Sequence, residues 1–134
     1  MSQNAAAGRG ITDVRSSQPV SATIDRLEQL ALSAGLKVFA RIDFSGDAQR
    51  AGLSMRPMQQ LIFGNPKAGT PLLAATPRLG VDLPLRALAW EDGNGATWLS
   101  FSDPEYLEGR HGFPHELLAN IGGVRALIQK AAQG

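Results

Sequence analysis

The chain has 134 residues, the size of one domain, and its 43% hydrophobic and 19% charged content is that of an ordinary globular protein. It has no cysteine, which excludes disulfides, thiol catalysis and Cys-ligated zinc. The formal net charge is +1, with eight basic residues in 1–67 and five in 68–134, so no clustered Lys/Arg surface is available for a polyanion and nucleic acid is not an expected partner.

Residues 1–8 (MSQNAAAG) read as a disordered tail ahead of a single domain over 9–134. The N-terminus has no apolar run of signal-peptide length, and no stretch approaches the roughly 20 apolar residues of a membrane span. A cytoplasmic protein with no membrane partner is the expectation. Ile11–Ser16 reads as a strand. Val20, Ile24, Leu27, Ala31 and Ala34 then recur on one helical face, with Ser21 as the expected N-cap and Gly35 as the left-handed residue after the end. Lys37–Phe44 alternates, which predicts Val38, Ala40, Ile42 and Phe44 on one face and Lys37, Phe39, Arg41 and Asp43 on the other. A short helical piece over Asp47–Gly52 and a strand over Met58–Phe63 follow.

Thr70-Pro71 predicts the start of a short helix, with Thr70 as cap and Pro71 at the first helical position, and Pro77 bounds it. Leu85–Trp90 and Ala96–Phe101 alternate around EDGNG, a hairpin signal. Asp103-Pro104 repeats the cap-then-proline device for a helix that ends near Gly109–Gly112. From Pro114 the stripe Leu117, Leu118, Ile121, Val124, Ile128 predicts one last helix running through Gly122-Gly123. Strand, helix, four strands, helix is an α+β fold of β-α-β4-α order, with a mostly antiparallel sheet and helices packed on one face.

Four stretches carry a family resemblance: VFARID (38–43), IFGNPKAGTPLL (62–73), DLPLRALAWED (82–92) and FSDPEYLEGRHG (101–112). Together they make the chain, from about Ser17 to Gly112, similar to the DUF302 family, a domain of unknown function. The resemblance implies a TATA-box-binding-protein-like fold, a curved antiparallel sheet with helices against it, and no particular activity. Family members often carry a histidine directly after the VFARID aspartate, where this chain has Phe44.

The chemistry-bearing residues are few. In GNPKAGTP, Gly64 and Gly69 have the separation of a phosphate-binding P-loop, but Thr70 stands where that motif needs Lys and Pro71 where it needs a hydroxyl. Two readings remain open there. Turn chemistry alone explains every residue but Lys67, while amides around Ala68–Thr70, with Asn65, Lys67 and Gly69, could hold a small carboxylate or phosphate. Tyr106 and Arg110 share a helix face; Arg110 could pair with a ligand carboxylate or with Asp43, and His111 could titrate near neutrality. His111 and His115 are four apart, but Gly112, Phe113 and Pro114 intervene, so no metal site is expected, and no cofactor.

Two functions follow as expectations. One is a non-enzymatic module that binds a small anionic or amphipathic ligand, or a partner, and forms a homodimer through its sheet. The other is an enzyme acting on a small phosphorylated or carboxylated metabolite, which requires Lys67, Arg110, Asp43 and His111 to line one pocket.

Overall fold

A computed structural model describes residues 9–134, and the expected tail over 1–8 lies outside the described residues. Five strands, β1 (Ile11–Ser16), β2 (Lys37–Asp43), β3 (Met58–Gly64), β4 (Leu85–Glu91) and β5 (Thr97–Ser102), form one sheet in the order β1-β5-β4-β3-β2, every neighbour antiparallel. Helix α1 (Val20–Ser33) follows β1, and α2 (Phe44–Arg50) follows β2. Next come α3 (Pro66–Ala75) after β3, α4 (Pro104–His111) after β5, then α5 (Ala119–Gly122) and α6 (Val124–Ala132). Short 3-10 turns occupy Pro77–Val81 and His115–Leu117. This is the α+β architecture the element order predicts.

The apolar face of α1 (Val20, Ile24, Leu27, Ala31) and that of α6 (Val124, Ile128, Ala131) bury against Leu61, Phe63, Ala87, Ala89, Leu99 and Phe101 of the three central strands. A second, smaller core joins Leu72, Leu79, Leu83, Leu107, Phe113 and Ile121 beneath α3, α4 and α5. Neither α1 nor α6 packs on the other sheet face. Cross-strand partners share a face, so the register places Trp90, Trp98, Leu88, Met58, Ile62 and Ile42 there. Trp90 pairs directly with Trp98. Trp90 Nε1 donates to Ser100 Oγ at 2.8 Å, and Ser100 Oγ donates to Asp13 Oδ1 at 2.5 Å, so the buried hydroxyl of this face is fully partnered.

Three local expectations need correction. The cap of α1 is Pro19, not Ser21; no side chain caps it, and the Thr23 hydroxyl returns to Pro19 O at 2.8 Å. The register of β2 against β3 shifts between Val38 and Ala40, so Phe39 is the extra residue of a β-bulge. Simple alternation therefore fails: Val38 and Arg41 lie opposite Phe63 and Leu61 on the helix side, while Ala40 and Ile42 lie on the open side. Arg41 accordingly reaches α1, with Nη1 at 2.7 Å from Asp25 and 3.1 Å from Glu28. Lastly, the final helix divides into α5 and α6 at Gly123, although Ile121, Val124 and Ile128 stay on the buried side. Two adjacent glycines weaken helix propagation enough to segment it.

The β4–β5 hairpin is held by Asp92, whose Oδ1 accepts from the amides of Asn94 and Ala96 and whose Oδ2 accepts from Trp98 Nε1 at 2.9 Å. The Trp98 indole bond first, then the Ala96 and Asn94 amides, lowers its pKa. A lowered folded pKa means stability that is fully present above the unfolded value, about 3.9, and is lost as pH falls through the folded one. Asp92→Asn should therefore reduce the slope of unfolding free energy against pH below about pH 4. Urea unfolding across that range measures it; an unchanged slope would show that other carboxylates carry the acid sensitivity.

Candidate functional site

The apolar run of β3 ends at Gly64, and Asn65 turns the chain into α3. Its Oδ1 accepts the Lys67 amide at 3.0 Å and Pro66 takes the first helical position. The helix thus begins at Pro66, more than a turn before the expected Thr70-Pro71 start. Asn65-Pro66 is the cap-then-proline arrangement that recurs at Asp103-Pro104. Pro71 then lies inside the helix, where its missing N–H leaves the Lys67 carbonyl without its helical donor. The early start also decides what the amides do. Those of Ala68 and Gly69 donate to Asn65 O at 3.0 and 2.7 Å, so the donors that an anion cradle needs are occupied. The Lys67 side chain is exposed.

Beside this helix start opens a cleft of about 480 Å³. It lies where the two cores meet: Phe63 and Val124 come from the larger core, Leu83 and Ile121 from the smaller. Leu36, Phe39, Leu73, Pro84, Leu85 and Leu127 complete the apolar wall. Phe39 reaches it because of the bulge and remains 44% exposed there. The polar side chains on the wall are Asn65, Thr70 and Asn120, and no charged residue lines it. Asn120 Nδ2 donates to Ala68 O at 2.9 Å, tying α5 to the first turn of α3. A concave, mainly apolar cavity with a few placed polar groups is the usual form of a small-molecule site.

Of the residues singled out from the sequence, Asn65, Gly69 and Thr70 line this cleft, whereas Lys67, Asp43, Tyr106, Arg110 and His111 do not. Asp43 caps α2, accepting from the Gly46 amide at 3.0 Å and the Ser45 hydroxyl at 2.9 Å; those two bonds, with Arg50 and Arg41 adding less, lower its pKa. Tyr106 packs its ring against Gly10, where a Cβ would sit 2.2 Å from the ring and φ is +83°, so only glycine serves. Arg110 and His111 both turn to Asp82, with Arg110 Nη1 at 3.2 Å and His111 Nε2 at 2.5 Å. Asp82, not Asp43, is thus the partner of Arg110. His115 pairs with Glu108 at 3.0 Å. Lys67, Arg110, Asp43 and His111 accordingly do not meet in one pocket. Among the described residues no group of three or more His, Asp or Glu is placed to hold a metal.

Phe39, Leu73, Asn120 and Leu127 were not legible as site residues. Phe39 depends on a bulge, and Asn120 on a contact with Ala68 across 52 positions of chain. The Gly122-Gly123 pair was the one local sign that the last helix opens at this point.

The fold is that of a small α+β domain with one open antiparallel sheet. The chain belongs to the DUF302 family, "Domain of unknown function DUF302", whose pattern matches residues 12–133. It is similar to the crystal structure of the uncharacterized conserved protein DUF302 from Bacillus stearothermophilus, with a TM-score of 0.79 and 25% identity over 92% of this chain and 98% of that one. It is also 46% identical over 102 residues to the "Fluoride-specific ion channel FluC 1" of Brucella suis biovar 1 (strain 1330). The protein of that name from Brucella abortus biovar 1 (strain 9-941) matches at the same identity. These matches cover 76% of this chain but only 40% and 38% of the two relatives. Among the described residues no helix is long and apolar enough to cross a membrane.

Gly69 stands inside α3, and a Cβ added there would meet nothing within 4 Å. With no steric need for glycine, Gly69→Ala should stabilise the protein by about 0.5–1 kcal/mol. Thermal or urea unfolding measures this, and a loss of stability would show that the backbone at Gly69 requires glycine.

Proposed function

We propose that the protein is a non-enzymatic module that binds a small, largely apolar ligand in the cleft beside α3 and self-associates through the open face of its sheet. The cleft carries the first part: about 480 Å³ of apolar wall at the junction of two cores, with three polar side chains and no charge. Trp90, Trp98, Leu88, Met58 and Ile62, set among Gln60, Arg86 and Ser100 on the sheet face away from α1 and α6, support the second, since mixed faces with aromatic residues suit a partner. The Brucella relatives fit an accessory role. Their names assign a channel, the matching segment is 40% of the length or less, and among the described residues of its counterpart here no helix is long and apolar enough to cross a membrane.

Gly69 lines the cleft and a Cβ there would meet nothing within 4 Å, so Gly69→Phe should narrow the cleft. A melting-temperature scan against neutral and charged amphiphiles, phosphates, carboxylates and nucleotides should find compounds that raise the wild-type melting point and leave Gly69→Phe unmoved. At about a hundred times its dissociation constant a ligand adds roughly 2.7 kcal/mol, several degrees for a domain of this size. If every shift persists in Gly69→Phe, the cleft is not the site. For self-association, sedimentation over a dilution series should show a dimer that Leu88→Glu converts to monomer; a wild-type monomer at all concentrations would sink that part.

A further inference from the structure

The hydrogen bonds at the cleft decide which amide atoms of its two asparagines are engaged and which are left over. Asn65 uses Oδ1 to accept the Lys67 amide, so its Nδ2 is left as a donor. Asn120 uses Nδ2 to donate to Ala68 O, so its Oδ1 is left as an acceptor. Both side chains line the cleft and both are anchored on the first turn of α3. Thr70 adds a hydroxyl that can act either way. The rest of the wall is apolar, including Phe39, Leu73 and Leu127.

We infer that the cleft selects an uncharged ligand, an apolar body ending in a group that offers an acceptor and a donor together, as a primary carboxamide does. This rests on the cleft being the ligand site. The acceptor of the ligand takes the Asn65 Nδ2 proton and its donor meets Asn120 Oδ1, while the body lies along Phe39, Leu73 and Leu127. A carboxylate would offer only acceptors to a wall that includes Asn120 Oδ1, and it would shed its water with no cation lining the cleft to replace it. The positive end of α3 does not compensate, because the Lys67, Ala68 and Gly69 amides are already bonded to Asn65. An ammonium would face the Asn65 donor and, again, no opposite charge on the wall.

The test uses four probes with one body: 4-butylbenzamide, 4-butylbenzoate, 4-butylbenzylamine and butylbenzene, titrated into the isotopically labelled protein and followed by amide chemical shifts. The benzamide should move the signals of Asn65, Thr70, Leu73 and Asn120 and bind about tenfold tighter than the benzoate, the difference of roughly one buried hydrogen bond. Asn65→Asp retains a good helix cap but replaces the free donor by a carboxylate oxygen, so it should weaken the benzamide about tenfold and leave butylbenzene unchanged. Lys67→Ala should alter none of the four. Benzoate or benzylamine binding at these signals as tightly as the benzamide would overturn the head-group assignment and leave the cleft as the ligand site. If no probe moves cleft signals, the assignment and the cleft reading both fail.

Discussion

The burial of α1 and α6 against one face of the sheet is the constraint on which the remaining geometry depends. Leu27, Ile24 and Ile128 are fully excluded from solvent against Leu61, Phe63 and Leu99, and burying side chains of this size is worth about 1.5–3 kcal/mol each. Two helices cover the central strands well. They do not extend over the end of β3, where the chain leaves the sheet through Gly64 and Asn65. Helices α3 and α5 gather there around a core of their own. The cleft is the seam between these two packing units, so its apolar wall follows from the way each core closes on itself.

Within that seam, Asn65 sets the local chemistry. By capping α3 at Pro66 it consumes the donors that a Gly-rich turn would otherwise present to an anion, and it keeps the nitrogen of its own amide as a donor. Asn120 does the complementary thing from α5. A region that reads in one dimension like a degraded phosphate loop becomes, in three, a neutral site with directional hydrogen bonding. Arg41, Arg110, His111 and His115 are committed elsewhere. Arg110 and His111 share Asp82, and Arg41 bridges the β2 edge to α1, ion pairs that fasten short elements to the body of the domain.

What was legible in the sequence divides along the range of the interactions involved. The five strands, α1, the hairpin turn and the end of α4 near Gly109–Gly112 rest on periodicity and on single-residue preferences, and each appears within two residues of where those rules put it. The start of α3 was misplaced because two cap-then-proline signals, Asn65-Pro66 and Thr70-Pro71, stand five residues apart and local rules do not rank them. The faces of β2 were misassigned because a bulge is a property of pairing with β3, which an alternating pattern in β2 cannot express. The cleft lay furthest from view. Its wall draws on segments from Ala34 to Leu127, and only their assembly reveals that three polar side chains face a common space.

The bulge at Phe39 has a consequence beyond the cleft. Strand β2 is one of the two edges of the sheet, and a regular edge exposes an unbroken row of backbone donors and acceptors on which a further strand can grow. Here the row is interrupted in mid-strand by the extra residue, which twists the strand locally. Lys37 and Arg41 flank the interruption, Lys37 with its ammonium 5.0 Å from the Phe39 ring. An incoming chain would find its register broken after two or three residues. The irregularity that brings an aromatic ring to the cleft thus also blunts this edge against fibrous aggregation, a safeguard the domain obtains without covering the strand.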